Sequence, residues 1–433
     1  MYETAIPDDT KLRLKEMAPS RLVVGIPSYR NSRTVSIVVE EVAAGLDRYY
    51  ATLEPVMVHV DGHSFDKTLS IASHVPLPDS VRRIATRYQG LSGKGSALRV
   101  IFEIATELQA EVVLLVEADV VSFLAEWVPK LVEPVLRKEA EMVLPIYQHI
   151  EPLMARSDLI IYPVLASMFK IPLRQPTGGE VAIAGGVARF FAERDVWETA
   201  VAQGGVDVWM SAQVAFDKGR LGQVYLGSKR HRSQKSYTHS LASFLQEIGT
   251  LFRLAYLHER AWRRPHSHRL STFGEAQAQA PAALSAKKWP DPLKVWRSGK
   301  QAIKKGVRKQ WLEIMLPPHL EAVEVMLNQP DEEMAFDDRL WARLVYDFIV
   351  VYNLGEGDPD KVVTSLYPLY LLRHATMLAE ASRHDDPHMA YDTLVQRQLT
   401  IFHDEFDYLL QRWDKYIPPE QIQLWRELGL LPK

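Results

Sequence analysis

The sequence predicts an α/β fold in two parts: a mainly parallel, doubly wound sheet over residues 21–235, then an all-helical domain over 236–433. Three observations carry this. Short apolar runs, RLVVGIP at 21–27, PVMVHV at 55–60 and VVLLV at 112–116, alternate with amphipathic helical segments. Such runs suit strands buried on both faces of a parallel sheet. Polar or glycine-rich loops follow them, at the carboxyl ends of strands where open α/β sheets bind ligands. From about residue 236 the strand signals stop and helical periodicity takes over.

At 433 residues, 47% of them apolar, the chain can bury more than one small core. Lys and Arg number 51 against 54 Asp and Glu, a formal charge of −3. That near balance gives no reason to expect nucleic acid or an anionic membrane as partner. The chain has no cysteine, which excludes disulfides, thiolate metal sites and cysteine nucleophiles. The N-terminal stretch lacks the apolar core of a signal peptide, and no run of about 18 apolar residues occurs. A cytoplasmic protein without a membrane span is expected.

Residues 1–20 read as a loose arm or short helix. The first strand stops at Pro27 and leads into Ser28-Tyr29-Arg30-Asn31-Ser32. The helix over 34–46 follows from Val35, Val38, Val39, Val42 and Leu46 on one face, with Ser32 as candidate cap. The strand at 55–60 runs into Asp61-Gly62-His63-Ser64-Phe65-Asp66, and 81–87 reads as a third strand. Gly93-Lys94-Gly95 then opens a helix over 97–108. Glycines and a lysine at a helix start suit an anion, held through backbone N–H groups, helix dipole and ammonium. The loop is no Walker A motif, because Gly95 rather than Ser or Thr follows Lys94.

The stretch VVLLVEAD ends in Glu117 and Asp119. Two carboxylates one residue apart at a strand end can hold a divalent cation against a diphosphate, since hard cations take oxygen ligands. A helix over 123–136, interrupted by Pro129 and Pro134, comes next. A strand at 141–147, a helix at 159–169, turn-rich loops at 175–180 and 184–186, a helix at 206–216 and a short strand at 223–226 complete the first part. His231 lies in a basic run; alone, it reads as a solvated loop histidine. Helix 241–263 precedes a linker over 264–292, rich in Ala, Gln, Ser and Pro. Amphipathic segments follow at 294–304, 308–315, 318–328, 335–353, 360–384, 389–414 and 419–428. The apolar helical tail suggests a homodimer.

The loops line up in an order that resembles the nucleotide-sugar half of a GT-A glycosyltransferase. Pro27 to Asn31 resembles the P-x-Y-N-E stretch of that superfamily, VDGHSFDKT its D-D-G-S-x-D-x-T stretch, and Glu117-Ala118-Asp119 its D-x-D metal motif. Further motifs resemble those of the retaining glucosyl-3-phosphoglycerate, glucosylglycerate and mannosylglycerate synthases. Gly93-Lys94-Gly95-Ser96-Ala97-Leu98 is similar to their G-K-G-E-A-L, and LRQPTGGE at 173–180 to their Q-P-[LI]-[SG]-G-[ED]. Val206-Asp207-Val208-Trp209 is similar to G-[VI]-[ED]-[IV], and VYLGSKRH at 224–231 to V-x-L-G-x-[KR]-x-H.

The resemblance implies a metal-dependent retaining transfer of glucose or mannose to D-glycerate or 3-phosphoglycerate, as in compatible-solute synthesis. It implies Asp119 and His231 as ligands of Mg²⁺, Mn²⁺ or Co²⁺. Pro27, Tyr29, Asn31, Asp61, Lys94, Glu117 and Ala118 would bind the donor, which is UDP-glucose, GDP-glucose or GDP-mannose. Thr177, Gly178, Gly179, Arg156 and Ser157 would bind the acceptor, and Lys94 and Asp207 would be catalytic. Asp207 reads equally as a charge at a helix N-terminus. Arg30 and Asn31 stand where the superfamily has Asn-Glu, so the base stays open. Glu117 replaces the first Asp of D-x-D, which makes Asp119 the expected ligand. Two other classes fit the motifs: an inverting GT-A transferase to a lipid or polysaccharide, and a sugar-nucleotide-binding regulator without turnover.

Overall fold

A computed structural model describes residues 4–151, 154–232, 240–264, 268, 270–275 and 289–417. The chain divides into two compact units. The first holds residues 1–154, 171–238 and 267–286; the second holds 155–170, 239–266 and 287–433. The sequence places 155–170 with the sheet and ends the first module at 235, whereas the structure groups 155–170 with the helices.

The first unit is built on an eight-stranded sheet. Its strands are β1 (Leu22–Ser28), β2 (Val56–Asp61), β3 (Arg82–Arg87), β4 (Val112–Leu115), β5 (Met142–Glu151), β6 (Val181–Ala184), β7 (Leu221–Arg230) and β8 (Leu270–Phe273). The spatial order is β3-β2-β1-β4-β6-β5-β7-β8. Every pairing is parallel except those of β6, which runs antiparallel to β4 and β5. The centre of the sheet is Val- and Leu-rich because helices cover both faces: β2 and β4 are buried throughout. Helices Val35–Tyr50 and Trp127–Leu136 contribute Val38, Val42, Leu46, Val128, Leu131 and Val132 to one core.

Local readings differ from the structure in three places. Thr34, not Ser32, precedes helix Val35–Tyr50, and its hydroxyl bonds to the carbonyls of Asn31 and Ala118 rather than capping. The loop expected at 184–186 is the end of β6 and the start of helix Gly185–Ala192. A β-carbon at Gly185 would stand 1.7 Å from the Ala110 carbonyl oxygen, so this glycine serves close packing, not a turn. The expected linker contains β8, paired with β7. The expected helix at 419–428 lies outside the described residues.

The second unit is helical. Helix Pro359–Ala381 is its axis, buried on nearly all sides, as a helix apolar all round must be. Residues 157–161 form a single π turn before helix Tyr162–Ser167. Carbonyls there are taken up from outside the helix: the Trp341 indole donates to Leu159 O at 3.0 Å, and Gln398 donates to Asp158 O and Leu159 O, each at 3.2 Å. Asp347, fully buried, accepts from His319 at 2.7 Å, Tyr408 at 2.5 Å and Arg412 at 3.1 Å. No helix among the described residues is long and apolar enough to cross a membrane.

Replacing Asp347 by Ala strands these three donors. We expect it to lower the unfolding free energy by about 3–5 kcal/mol, as loss of one partner from a buried charged network does. Denaturant titration of the full chain reads this, and a loss under about 1 kcal/mol would show the network to be peripheral.

Candidate active site

Strand connections decide where the functional side chains meet. The chain lays β2 and β3 on one side of β1 and then crosses to place β4 on the other. The crevice beyond the carboxyl ends of β1 and β4 is therefore a switch point, where such sheets bind ligands. Antiparallel β6 brings its start to the same edge, since Leu115 pairs with Val181. This sets Gly179 and Glu180 beside Glu117. β5 and β7 run parallel to each other and bring Lys229 to that edge as well. Beyond the strands, Val120 bridges to His231, with Arg232 N–H donating to Asp119 O at 3.1 Å. Asp119 and His231 meet because these two strand extensions run side by side.

Charges alternate across the edge. Lys94 donates to Glu117 Oε1 at 3.0 Å and to Asp207 Oδ2 at 2.8 Å. Lys229 donates to Glu117 Oε2 at 2.9 Å, Glu180 Oε2 at 2.7 Å and the Gly178 carbonyl at 2.5 Å. The Tyr147 hydroxyl donates to Glu180 Oε2. Lys229 and Glu180 are sealed from solvent, at 1% and 0% side-chain exposure. Burial opposes a charged Lys94, but Asp207 and Glu117 outweigh it and hold the ammonium above the ordinary lysine range. Burial likewise opposes an ionised Glu117, yet Lys229, Lys94 and His231 hold it well below the carboxylate range. Lys229 is raised in the same way by Glu117 and Glu180. Burial and Glu180 push the Tyr147 phenol well up, so it stays a neutral donor.

Gly179 is required here. Its φ is +94°, and a β-carbon would fall 2.4 Å from Glu117 Oε2 and 2.6 Å from the Lys229 ammonium. Gln175 pins its loop to β5, accepting from Tyr147 N at 2.7 Å and donating to Tyr147 O at 2.9 Å.

Glu117, Asp119 and His231 offer donor atoms within 4.8 Å of one another. Asp119 Oδ1 and His231 Nδ1 are 3.2 Å apart, and both side chains keep about one-fifth exposure (20% and 19%). Adjacent donors on an ion with bonds of about 2.1 Å stand about 3 Å apart at a right angle, so this pair fits a divalent cation. Imidazole with carboxylate suits Mn²⁺, Co²⁺ or Mg²⁺. Glu117 fits less well as a direct ligand, since each of its oxygens already holds an ammonium.

The other expected residues divide. Ala118 is buried beside the pair, and its carbonyl accepts from Thr34 at 2.8 Å. Tyr29 is 48% exposed at the mouth, and its N–H donates to Asn31 Oδ1 at 2.8 Å. Pro27 lies in β1 opposite Val60, so both strand ends open on the same crevice. Asp61 is fully buried: it accepts from Ser64 N at 2.8 Å and Ser28 Oγ at 3.4 Å, with Arg87 Nε at 3.8 Å. It shapes the loop. Neighbouring His59 is pushed down to about 4, first by burial, and meets the Ser28 hydroxyl at 3.1 Å.

The glycines flanking Lys94 do not form an open anion cradle. Gly95 N–H donates to Gln203 O at 3.0 Å and Gly93 N–H to the Tyr88 hydroxyl at 3.0 Å. A β-carbon at Gly95 would lie 2.0 Å from Val201 O, so these glycines let the helix start press against residues 201–203. The ammonium, about a quarter exposed with two N–H bonds used, is what remains for an anion. Thr177 is half-buried, and Gly178 and Gly179 are buried around Lys229. Arg156 and Ser157 lie in the helical unit, where Arg156 Nε and Nη2 pair with Glu247 at 2.9 and 2.8 Å. Sequence spacing does not mark Lys229, Glu180 and Tyr147 as site residues, although the first two occupy the [KR] and [ED] positions of the quoted motifs. An open depression of about 500 Å³, lined by Thr106, Gln109, Gly186 and Arg189 among others, lies by the opposite end of β4 and takes no part.

No family model and no curated protein matches the chain. Among solved structures it is similar to glucosyl-3-phosphoglycerate synthase from Mycobacterium tuberculosis. With that enzyme in complex with phosphoglyceric acid, identity is 20%, coverage 61% of this chain and 88% of the other, and TM-score 0.43. A complex with Mn²⁺, UDP-glucose and phosphoglyceric acid gives 19%, 58%, 85% and 0.41. One with Mn²⁺, UDP and glucosyl-3-phosphoglycerate gives 21%, 62%, 88% and 0.40. Substrate and chemistry therefore rest on this chain's own residues.

Because Glu117 is depressed in the folded state, its contribution to stability is present above its unfolded value of about 4.3 and is lost as pH falls through the folded value. The two lysines, raised, keep theirs below about pH 10.4. The gap in unfolding free energy between the wild type and Glu117→Gln should be open from about pH 8 to 9 and close in acid, below about pH 4. A gap that stays open in acid would contradict the pairing.

Proposed function

We propose that the first unit transfers a hexose from a nucleotide-sugar to D-glycerate or 3-phospho-D-glycerate, with a divalent cation and with retention at the anomeric carbon. The observation that supports this most is the Asp119–His231 pair, 3.2 Å apart at the switch point, with Glu117 between His231 and the Lys94 ammonium. Asp119 and His231 would hold a divalent cation, which would supply positive charge to a departing nucleoside diphosphate. Lys94 offers its remaining N–H to the same phosphates. Tyr29, Asn31, Pro27 and Ala118 form the nucleoside end, and Asp61 holds that loop in place. Thr177, Gly178, Gly179 and Asp207 face the sugar and acceptor.

Transfer breaks the bond from the anomeric carbon to the phosphate oxygen and forms one to an acceptor hydroxyl oxygen on the same face. The hydroxyl proton passes to the leaving phosphate, so no protein base is needed. An inverting route would need one. Asp207, the best candidate, is engaged by Lys94 at 2.8 Å.

The test offers UDP-glucose, GDP-glucose and GDP-mannose with Mg²⁺ or Mn²⁺ to both acceptors and seeks an α-linked product by NMR. Asp119→Ala and His231→Ala should each lower turnover by about a hundredfold or more, since even outer-shell partners of a metal cost 10–100-fold. Nucleotide binding without product would favour a regulator, and a silent His231→Ala would remove the metal assignment.

A further inference from the structure

Glu117, Asp119 and His231 together have the makings of a three-ligand metal site, yet one of the three is withheld. Both oxygens of Glu117 carry an ammonium, Lys94 on Oε1 and Lys229 on Oε2. Lys229 is not placed to touch a substrate. It is buried, and its three N–H bonds are spent on Glu117, Glu180 and the Gly178 carbonyl. The charge of Glu180 and the phenol of Tyr147 hold it in that position. Gly179 leaves the room in which the Glu117–Lys229 contact forms.

We propose that Lys229 is a positioning residue that keeps Glu117 out of the cation's coordination sphere, so that Asp119 and His231 alone hold the ion and its other positions stay open for the donor's diphosphate. This rests on the metal-site reading above. The physical reason is charge: a cation drawn to Oε2 would stand beside the Lys229 ammonium on that same oxygen, and moving the ammonium away would leave Glu180 buried without it. Without Lys229, Oε2 is free and within reach of the pair, and hard cations gain affinity with each added carboxylate.

The test is Mn²⁺ binding to the full-length chain without nucleotide, read by the electron paramagnetic resonance signal of free Mn²⁺. Lys229→Met should bind Mn²⁺ about 10-fold or more tighter than the wild type, the scale on which partners of metal ligands act. Adding Glu117→Gln should abolish the gain. Lys94→Gln, which frees Oε1 at a partly exposed position, should tighten binding in the same direction and serves if Lys229→Met does not fold. Unchanged or weaker binding in the folded Lys variants overturns the proposal, as does a gain that survives Glu117→Gln. If neither the wild type nor the variants bind Mn²⁺, the metal site itself is refuted and the proposal falls with it. Binding is measured without a sugar donor, so a failed transfer assay would leave this result standing.

Discussion

One carboxylate held between two ammonium groups organises the charged edge of this protein's sheet. Glu117 lies at the end of the central strand, and Lys94 and Lys229 reach it from a helix start and from a strand end more than a hundred residues later. A carboxylate this enclosed would be costly with either lysine missing, and each lysine would be costly without it. The alternation extends to Asp207 on one side and Glu180 on the other, so five charged groups form one connected set. Five separate stretches of chain are brought into register by satisfying it. The same set leaves Asp119 and His231 together at the rim, partly exposed and available.

Much of this edge was legible in the sequence. The apolar strands ending in Pro27, Asp61 and Glu117 announce a parallel sheet, because burial on both faces favours near-continuous runs of Val, Leu and Ile. The chemistry at their ends follows from the rule that such sheets bind ligands there. Residue spacing could not reveal the partner of each charge. Lys229 reads as one more member of a solvated basic run, since nothing local tells that β7 carries it inward while leaving Arg230 exposed. Glu180 looks like a turn residue until antiparallel β6 sets it beside Glu117. The glycines around Lys94 and Gly185 mislead in the opposite way: they look like turns or cradles and turn out to admit a neighbouring backbone.

The helical unit shows the same limit. Its amphipathic segments are plain in the sequence, and helices appear at every expected place within the described residues. That residues 155–170 belong with them was hidden. The segment follows a strand and carries no boundary signal, and only the capture of its π-turn carbonyls by Trp341 and Gln398 reveals where it packs. Arg156, read from motif order as an acceptor ligand, is bound to Glu247 in that unit.

The central claim is that Asp119 and His231 form the ligand pair, with Glu117 reserved for the lysines. Anomalous diffraction from crystals grown with Mn²⁺ and a nucleoside diphosphate tests it most directly. The expected result is one manganese peak at about 2.2 Å from Asp119 and from His231, with both Glu117 oxygens still on Lys94 and Lys229. A manganese bound directly by Glu117, or one that leaves His231 unligated, would contradict it.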